Sequence, residues 1–275
     1  MTTAYLQTLH LEREPFSTSP DPAFFYKSPE HISVLNRLEI AIRLKRGLSL
    51  ILGDVGTGKT TLSRSLIQLF DQEDNEFVFH MILDPSFKTE TQFLAHLTKL
   101  FGITPFFRST IDYRDAIEKY LYKKTVDEKK TVVLLIDEAQ KLQVEHLEVL
   151  RTLLNYETNE QKMLQLIIFG QLELLPRIQP MRNFIDRISV KARLNPLDEY
   201  QISQMIEYRL RTAGYDSPEP LFAAEAIKKI YEYTRGYPRA IAKICHNALE
   251  LVLMQDRANV TAEIIDRVIE QDEVL

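Results

Sequence analysis

Apolar residues along the chain gather into five short runs, and the stretches between the first four of them carry helical periodicity. The runs cover residues 48–52, 77–83, 132–136, 164–169 and 188–194. Nearly continuous apolar runs of this length are typical of strands buried on both faces, as happens when helices cover a parallel sheet. The pattern predicts an α/β fold with a doubly wound, parallel, five-stranded sheet.

Beyond Pro196 only helical periodicity remains. Asp198, followed by Gln201 three residues later, resembles a capping box that opens a helix ending near Thr212. Further helical patterns cover residues 222–234, 238–255 and 261–271. We therefore predict two domains, an α/β domain over residues 1–196 and a small all-helical domain over residues 197–275.

The predicted α/β domain includes an N-terminal segment that is rich in proline and aromatic residues. Its motif reads "EPFSTSPDPAFFYKSPEH" and covers residues 14–31. Prolines at this density favour an extended, turn-rich path, and the aromatic rings need a surface to pack on. We expect that surface to belong to the α/β domain.

Composition narrows the class of protein. The 275 residues include one cysteine, are 45% hydrophobic and 27% charged, and carry a net charge of −5. One cysteine excludes an internal disulfide framework, and no apolar run approaches the roughly 20 residues of a membrane-spanning helix. The N-terminus also lacks the pattern of a signal peptide. We expect a cytoplasmic protein without direct membrane insertion, and the negative charge argues against extensive nucleic-acid binding.

The first apolar run leads into a glycine-rich loop, "GDVGTGKT", which fits the phosphate-binding pattern G-x-x-x-x-G-K-[ST]. In such a loop the backbone N–H groups surround an anion, and the following helix adds the positive end of its dipole. Lys59 is expected to reach the β- and γ-phosphates of ATP, and the Thr60 hydroxyl to bind Mg²⁺. The predicted nucleotide-binding residues are Gly53, Asp54, Val55, Gly56, Thr57, Gly58, Lys59, Thr60 and Thr61.

The third apolar run ends in two adjacent carboxylates, Asp137 and Glu138, within "TVVLLIDEAQ". Open α/β sheets bind ligands at the carboxyl ends of their strands, and acids placed there are costly unless a cation meets them. Asp137 is expected to hold Mg²⁺ bound to ATP, directly or through water. Glu138 is expected to orient and deprotonate the attacking water. The sequence therefore predicts an ATPase.

These motifs, together with "IIFGQLEL", "NFIDRI" and "GYPRAIAKICHNAL", resemble those of AAA+ ATPases. Within that family the chain is similar to the ExeA/GspA type, which is associated with type II secretion and pilus assembly, and the N-terminal motif extends the resemblance to nearly the whole chain. Transposition ATPases of the TniB and TnsC kind share the same core. The resemblance implies a P-loop AAA+ core followed by a helical lid.

The resemblance also implies contacts with the γ-phosphate and the base. Gln171 matches the sensor 1 position, where asparagine is more usual and where a side-chain amide holds the lytic water. Arg239, in "GYPR", matches the sensor 2 arginine of the lid, which reaches the γ-phosphate. Adenine would stack near the N-terminal segment, with Phe16 and Tyr26 as candidates.

An arginine finger is a further implication of the resemblance. Arg187, in "DRI", matches the finger that acts on the ATP of a neighbouring subunit, and Arg182 is the alternative. The expected assembly is a homo-oligomer with ATP at its subunit interfaces. The expected function is an assembly or remodelling factor whose protein partner belongs to secretion, pilus or transposition machinery.

Full-length secretion members of this family continue into a membrane segment and a peptidoglycan-binding module. Since this chain ends at Leu275, we expect either a stand-alone ATPase or an excised cytosolic portion. Recruitment to the inner membrane would then take place through a partner.

Two other functions stay open at this point. One is a DNA-bound regulator of the transposition type, because a locally basic stretch can meet a phosphate backbone. The other is a nucleotide switch that hydrolyses ATP slowly, against which Glu138 argues. A subunit interface is the favoured interpretation of the basic stretch, which contains Arg177, Arg182, Arg187, Lys191 and Arg193 with Asp186 as the opposing charge.

Overall fold

The computed structural model describes residues 6, 9, 11–17, 21–73, 76–104, 109–159, 161–255 and 257–273. Residues 18–20 of the N-terminal motif therefore lie outside the described part of the chain. Five strands form one parallel sheet in the order β2-β3-β4-β1-β5, which confirms the predicted doubly wound fold. The strands are Leu48–Gly53 (β1), Phe77–Ile82 (β2), Thr131–Ile136 (β3), Leu164–Gly170 (β4) and Ile188–Leu194 (β5).

Helices separate the strands and fill the C-terminal region. The predicted capping box is confirmed, since the Gln201 N–H donates to Asp198 Oδ1 at 2.7 Å and the Asp198 N–H donates to Gln201 Oε1 at 3.2 Å. No helix within the described ranges is both long and apolar enough to cross a membrane. The helices are Pro29–Arg43 (α1), Lys59–Gln68 (α2), Glu90–Leu100 (α3), Thr110–Tyr122 (α4), Val144–Leu153 (α5), Leu175–Ile178 (α6), Arg182–Ile185 (α7), Glu199–Thr212 (α8), Ala224–Thr234 (α9), Pro238–Met254 (α10) and Ala262–Glu273 (α11).

The chain divides into two compact units. We call the first the α/β unit, and it contains Glu30–Val55 and Leu62–Leu194. The second is the helical unit, which contains Met1–Pro29, Gly56–Thr61 and Asn195–Leu275. Each unit has its own cluster of buried apolar side chains.

The core of the α/β unit lies on both faces of the sheet. Every residue of β1, β3 and β4 is buried, whereas the edge strands β2 and β5 are buried only in part. This difference explains why the three central strands read as continuous apolar runs, while β5 carries exposed charges such as Lys191 and Arg193. Charged side chains on an edge strand also discourage pairing with another chain.

The helical unit is built around α8, α9, α10 and α11. Cys245 of α10 is fully buried in its core, and burial raises the pKa of the thiol, so this side chain acts as a small apolar residue. Leu197, at the start of the unit, is also buried, and its backbone N–H donates to the Gly236 carbonyl at 2.8 Å.

The N-terminal segment packs within the helical unit, so the expectation that its rings cover the α/β domain is wrong. Phe16 is 1% exposed and meets the Phe222 ring edge-on at 5.8 Å between centroids. Phe24 and Leu11 are buried in the same core. Burying these side chains in the core of the helical unit is favourable because it removes apolar surface from water.

Hydrogen bonds fix this segment to α8. The Arg209 guanidinium donates to the Ser17 carbonyl at 3.3 Å, and the Tyr208 hydroxyl donates to the Ala23 carbonyl at 2.9 Å. The pKa of Arg209 is lowered by burial. The hydroxyl and guanidinium pair with backbone carbonyls, which is a pattern that residue types alone do not predict.

We expect Gly236→Ala to unfold the helical unit at much lower denaturant than the wild type. Gly236 has φ +81°, and an added Cβ would lie 1.9 Å from the Leu197 carbonyl oxygen. This clash should lower the free energy of unfolding by about 4 kcal/mol or more, because neither the added Cβ nor the Leu197 carbonyl oxygen can move aside as the end of a flexible side chain could. Gly102→Ala is the control, since Gly102 has φ +70° with open space around it, so that only left-handed strain of about 1–2 kcal/mol applies. Equal urea midpoints for the two variants would contradict this expectation.

Candidate nucleotide site

Polar residues follow the carboxyl ends of three neighbouring strands, β3, β4 and β1. In the parallel register Leu52 of β1 pairs with Gly170 of β4, and Ile136 of β3 pairs with Ile168. The carboxyl ends of these strands therefore lie at the same edge, where open α/β sheets bind ligands. The glycine-rich loop begins at the end of β1, the two acids follow β3, and Gln171 follows β4.

The glycine-rich loop has the backbone that an anion site requires. Gly56 has φ +82°, and an added Cβ would lie 3.1 Å from Cβ of Arg239. Helix α2 begins at Lys59, immediately after the loop, so the positive end of its dipole is directed at the loop. Lys59 is only 5% exposed and Thr57 is fully buried. A buried lysine at the start of such a helix favours binding of an anion.

Arg239 lies next to this loop within the helical unit. It is the second residue of α10, and its backbone N–H donates to the Gly56 carbonyl at 3.4 Å. Its side chain is exposed. The sequence prediction of a γ-phosphate contact for Arg239 stays a prediction, and the short distance to Gly56 supports it.

The two acids after β3 differ in burial and in partners. Asp137 is 1% exposed, and its Oδ1 accepts the Glu138 N–H at 2.9 Å. Glu138 is half-buried and has φ +51°, a left-handed backbone that is uncommon outside glycine and asparagine. Because the chain turns at Glu138, the two adjacent carboxylates have different surroundings, as different roles would require.

The side chains of Asp137 and Thr60 are of the kind that binds a Mg²⁺ ion carried by a nucleotide. Magnesium prefers oxygen ligands and is usually held by one or two carboxylates, a hydroxyl and the substrate phosphates. Asp137 supplies a buried carboxylate at the end of β3, and Thr60 supplies a half-buried hydroxyl in the first turn of α2.

Gln140 is a further residue of the site, which the sequence motifs did not predict. Its Nε2 donates to Glu138 Oε2 at 2.7 Å, and its Oε1 accepts the backbone N–H of Gln171 at 3.1 Å. The structure thus brings Glu138 and the residue predicted for sensor 1 together through one side chain. The signal available in the sequence was a polar residue two positions after Glu138, in the short turn Ala139–Lys141.

Two arginines of the basic stretch are used inside the α/β unit. Arg177 Nη1 donates to the Gln140 and Leu142 carbonyls, the latter at 2.6 Å. Arg187 Nη1 donates to the Arg151 carbonyl at 3.1 Å and to the Asn155 side chain. These contacts leave fewer cations for a DNA backbone than the sequence suggested. The exposed members of the stretch are Arg182, Lys191 and Arg193.

The adenine candidates differ in accessibility. Phe16 offers no open ring face, because it is buried against Phe222, so it is not placed to stack on a base in this structure. Tyr26 is half-buried, and its pKa is raised by burial and then by Tyr200 and Asp198. Stacking of adenine on Tyr26 stays a prediction.

Comparison with known proteins agrees with this geometry. A family model described as an AAA domain matches residues 42–178. General secretion pathway protein A of Aeromonas hydrophila is 36% identical over an alignment of 255 positions, which covers 89% of this chain and 44% of that protein. The chain therefore spans less than half the length of this relative.

Solved structures share the fold at low sequence identity. Cdc6p from Pyrobaculum aerophilum has a TM-score of 0.69 and 18% identity, covering 94% of this chain and 70% of that one. The Aeropyrum pernix ORC2 protein, solved as ADPNP-ADP complexes, has a TM-score of 0.67 and 15% identity, covering 95% and 72% of the two chains. Both show the fold alone. Residues 42–178 thus match an AAA domain, and most of the chain is similar to general secretion pathway protein A.

Proposed function

We propose that the chain binds Mg²⁺–ATP at residues 53–61 and hydrolyses it with Glu138 as the general base. The observation that carries the proposal is that β1, β3 and β4 end at the same edge of the sheet, where β1 leads into the glycine-rich loop, β3 into the paired acids and β4 into Gln171. A general base needs a carboxylate that is held in position but still accessible, and Glu138 is half-buried with one oxygen bound by Gln140. These features support hydrolysis rather than a passive nucleotide switch.

Each residue of the site has a distinct role in this proposal. The loop N–H groups and Lys59 bind the β- and γ-phosphates, and the Gln171 amide holds the attacking water while Glu138 accepts its proton. Asp137 and Thr60 are the candidate ligands of Mg²⁺, which when bound neutralises charge on the phosphate oxygens. Arg239 is the candidate partner of the γ-phosphate.

The biological role is part of the proposal. We infer an oligomeric assembly or remodelling factor, with ATP at subunit interfaces, that acts on a protein of secretion or pilus-type envelope machinery. The support is the 36% identity to a protein named for the general secretion pathway. Recruitment to the inner membrane through such a partner follows from the same inference.

We expect Lys59→Ala to lose most of its affinity for ATP. The change removes a nearly buried cation from the start of α2, and removing one member of a buried, hydrogen-bonded charge pair costs about 2–5 kcal/mol, or roughly 30- to 5,000-fold in affinity. Titration calorimetry with ATP and Mg²⁺ measures the effect. Lys88→Ala, which removes an exposed lysine, is the control and should bind as the wild type does. Wild-type affinity in Lys59→Ala would refute the site.

A further inference from the structure

Gln140 has both ends of its side-chain amide engaged, and each end contacts a different part of the site. The amide nitrogen donates to Glu138 Oε2 at 2.7 Å, and the amide oxygen accepts the Gln171 N–H at 3.1 Å. The orientation of the amide is fixed by chemistry, because a carboxylate only accepts and a backbone N–H only donates. The side chain therefore links the segment after β3 to the segment after β4.

The backbone of Gln140 is held as firmly as its side chain. Arg177 Nη1 donates to the Gln140 carbonyl and also to the Leu142 carbonyl at 2.6 Å. Arg177 belongs to α6, which follows Gln171 closely in the chain. Two connections thus join the turn Ala139–Lys141 to the segment after β4.

The hydrogen bond from Gln140 leaves the second carboxylate oxygen of Glu138, Oε1, available to accept a proton. Among the hydrogen bonds of the described residues, Gln140 binds Oε2 and no bond involves Oε1. A glutamate side chain has three rotatable bonds, and one fixed oxygen greatly reduces the positions that the other can take. The arrangement is that of a base with one oxygen held and the other directed to a substrate water.

We propose that Gln140 is a positioning residue that holds the Glu138 carboxylate for proton abstraction and makes its position depend on that of Gln171. This inference rests on the proposed ATP hydrolysis. Gln140 has no proposed contact with the nucleotide. Its loss should therefore lower kcat while leaving the affinity for ATP unchanged.

Two substitutions of Gln140 distinguish the effects of its two side-chain hydrogen bonds. Gln140→Ala removes both hydrogen bonds. Gln140→Glu keeps an oxygen that accepts the Gln171 N–H, but it replaces the donor to Glu138 with a second carboxylate. Both variants should bind ATP as the wild type does and lose roughly 10- to 100-fold in kcat, the scale expected when a catalytic group is misplaced by about 1 Å. Gln179→Ala removes an exposed glutamine and is the matched control, with no change expected.

A readout that does not depend on turnover tests the link to Gln171. The Gln171 amide should exchange with deuterium faster in Gln140→Ala, because its acceptor is gone, and at the wild-type rate in Gln140→Glu. This measurement needs no bound nucleotide. Equal exchange in the wild type and in Gln140→Ala would overturn the link.

A double mutant distinguishes positioning of Glu138 from general damage to the fold. With Glu138→Gln already present, adding Gln140→Ala should lower the residual rate no further, since residues that act as a unit are not additive. A wild-type kcat in Gln140→Glu, or a full additional loss in the double mutant, would overturn the inference. If the wild type binds ATP and does not hydrolyse it, the proposed function fails, whereas normal kcat in the Gln140 variants of an active enzyme refutes this inference alone.

Discussion

Glu138→Gln is expected to bind ATP normally and to hydrolyse it about 10²- to 10⁴-fold more slowly than the wild type, the usual contribution of a general base. Glutamine has the same shape as glutamate and can still accept a hydrogen bond from Gln140, so the turn after β3 should keep its structure. What it cannot do is accept a proton from water. The loss should therefore fall on kcat, with the affinity for ATP unchanged.

Phosphate release under single-turnover conditions measures this effect without interference from product dissociation. Glu173→Gln is the matched control, because Glu173 is an exposed carboxylate two residues beyond Gln171. It should release phosphate at the wild-type rate. Normal hydrolysis by Glu138→Gln would exclude Glu138 as the base.

Arg187→Ala is expected to bind ATP and to lose hydrolysis by about 10³- to 10⁵-fold, as for arginines supplied in trans to other nucleotide sites. A guanidinium at the γ-phosphate stabilises charge that develops in the transition state, so its loss spares ground-state binding. In the single chain Arg187 donates to the Arg151 carbonyl and the Asn155 side chain. A finger role requires that its remaining N–H groups reach the neighbouring subunit.

Mixing variants tests whether the site is shared between subunits. If Glu138 and Arg187 act from different chains, an equal mixture of Glu138→Gln and Arg187→Ala contains complete interfaces, roughly a quarter of the total in a randomly mixed, head-to-tail assembly. Activity should therefore reappear on mixing and rise with protein concentration. A purely structural role for Arg187 predicts a lower unfolding midpoint and no recovery. In that case Arg182→Ala, which removes an exposed arginine, becomes the variant to test.

The sequence predicted those parts of the molecule that depend on local patterns. The continuous apolar runs of β1, β3 and β4 identified strands buried on both faces, and the loop motif predicted that a helix, α2, follows the loop. The Asp198–Gln201 capping box located the first helix after the sheet. In each case the residues that make up the sequence pattern are the same residues that form the predicted strand, helix or capping box.

Contacts between distant segments were not predictable in the same way. Phe16 packs on Phe222 and Arg177 binds the Gln140 carbonyl, and no spacing rule connects residues so far apart. The proline and aromatic composition indicated that the N-terminal segment must pack on a surface, but it did not identify the surface. The basic stretch of the sequence likewise combined side chains that the fold separates into internal donors, such as Arg177, and exposed charges, such as Arg193.

Phosphate release from Mg²⁺–ATP over a range of protein concentrations tests whether the glycine-rich loop and Glu138 form one ATP-hydrolysing site. We expect the wild-type rate per subunit to rise with concentration, Lys59→Ala to release little phosphate because it binds ATP weakly, and Glu138→Gln to retain bound ATP unhydrolysed. Equal phosphate release by all three proteins would contradict this expectation, as would a wild type that binds ATP and releases no phosphate at any concentration.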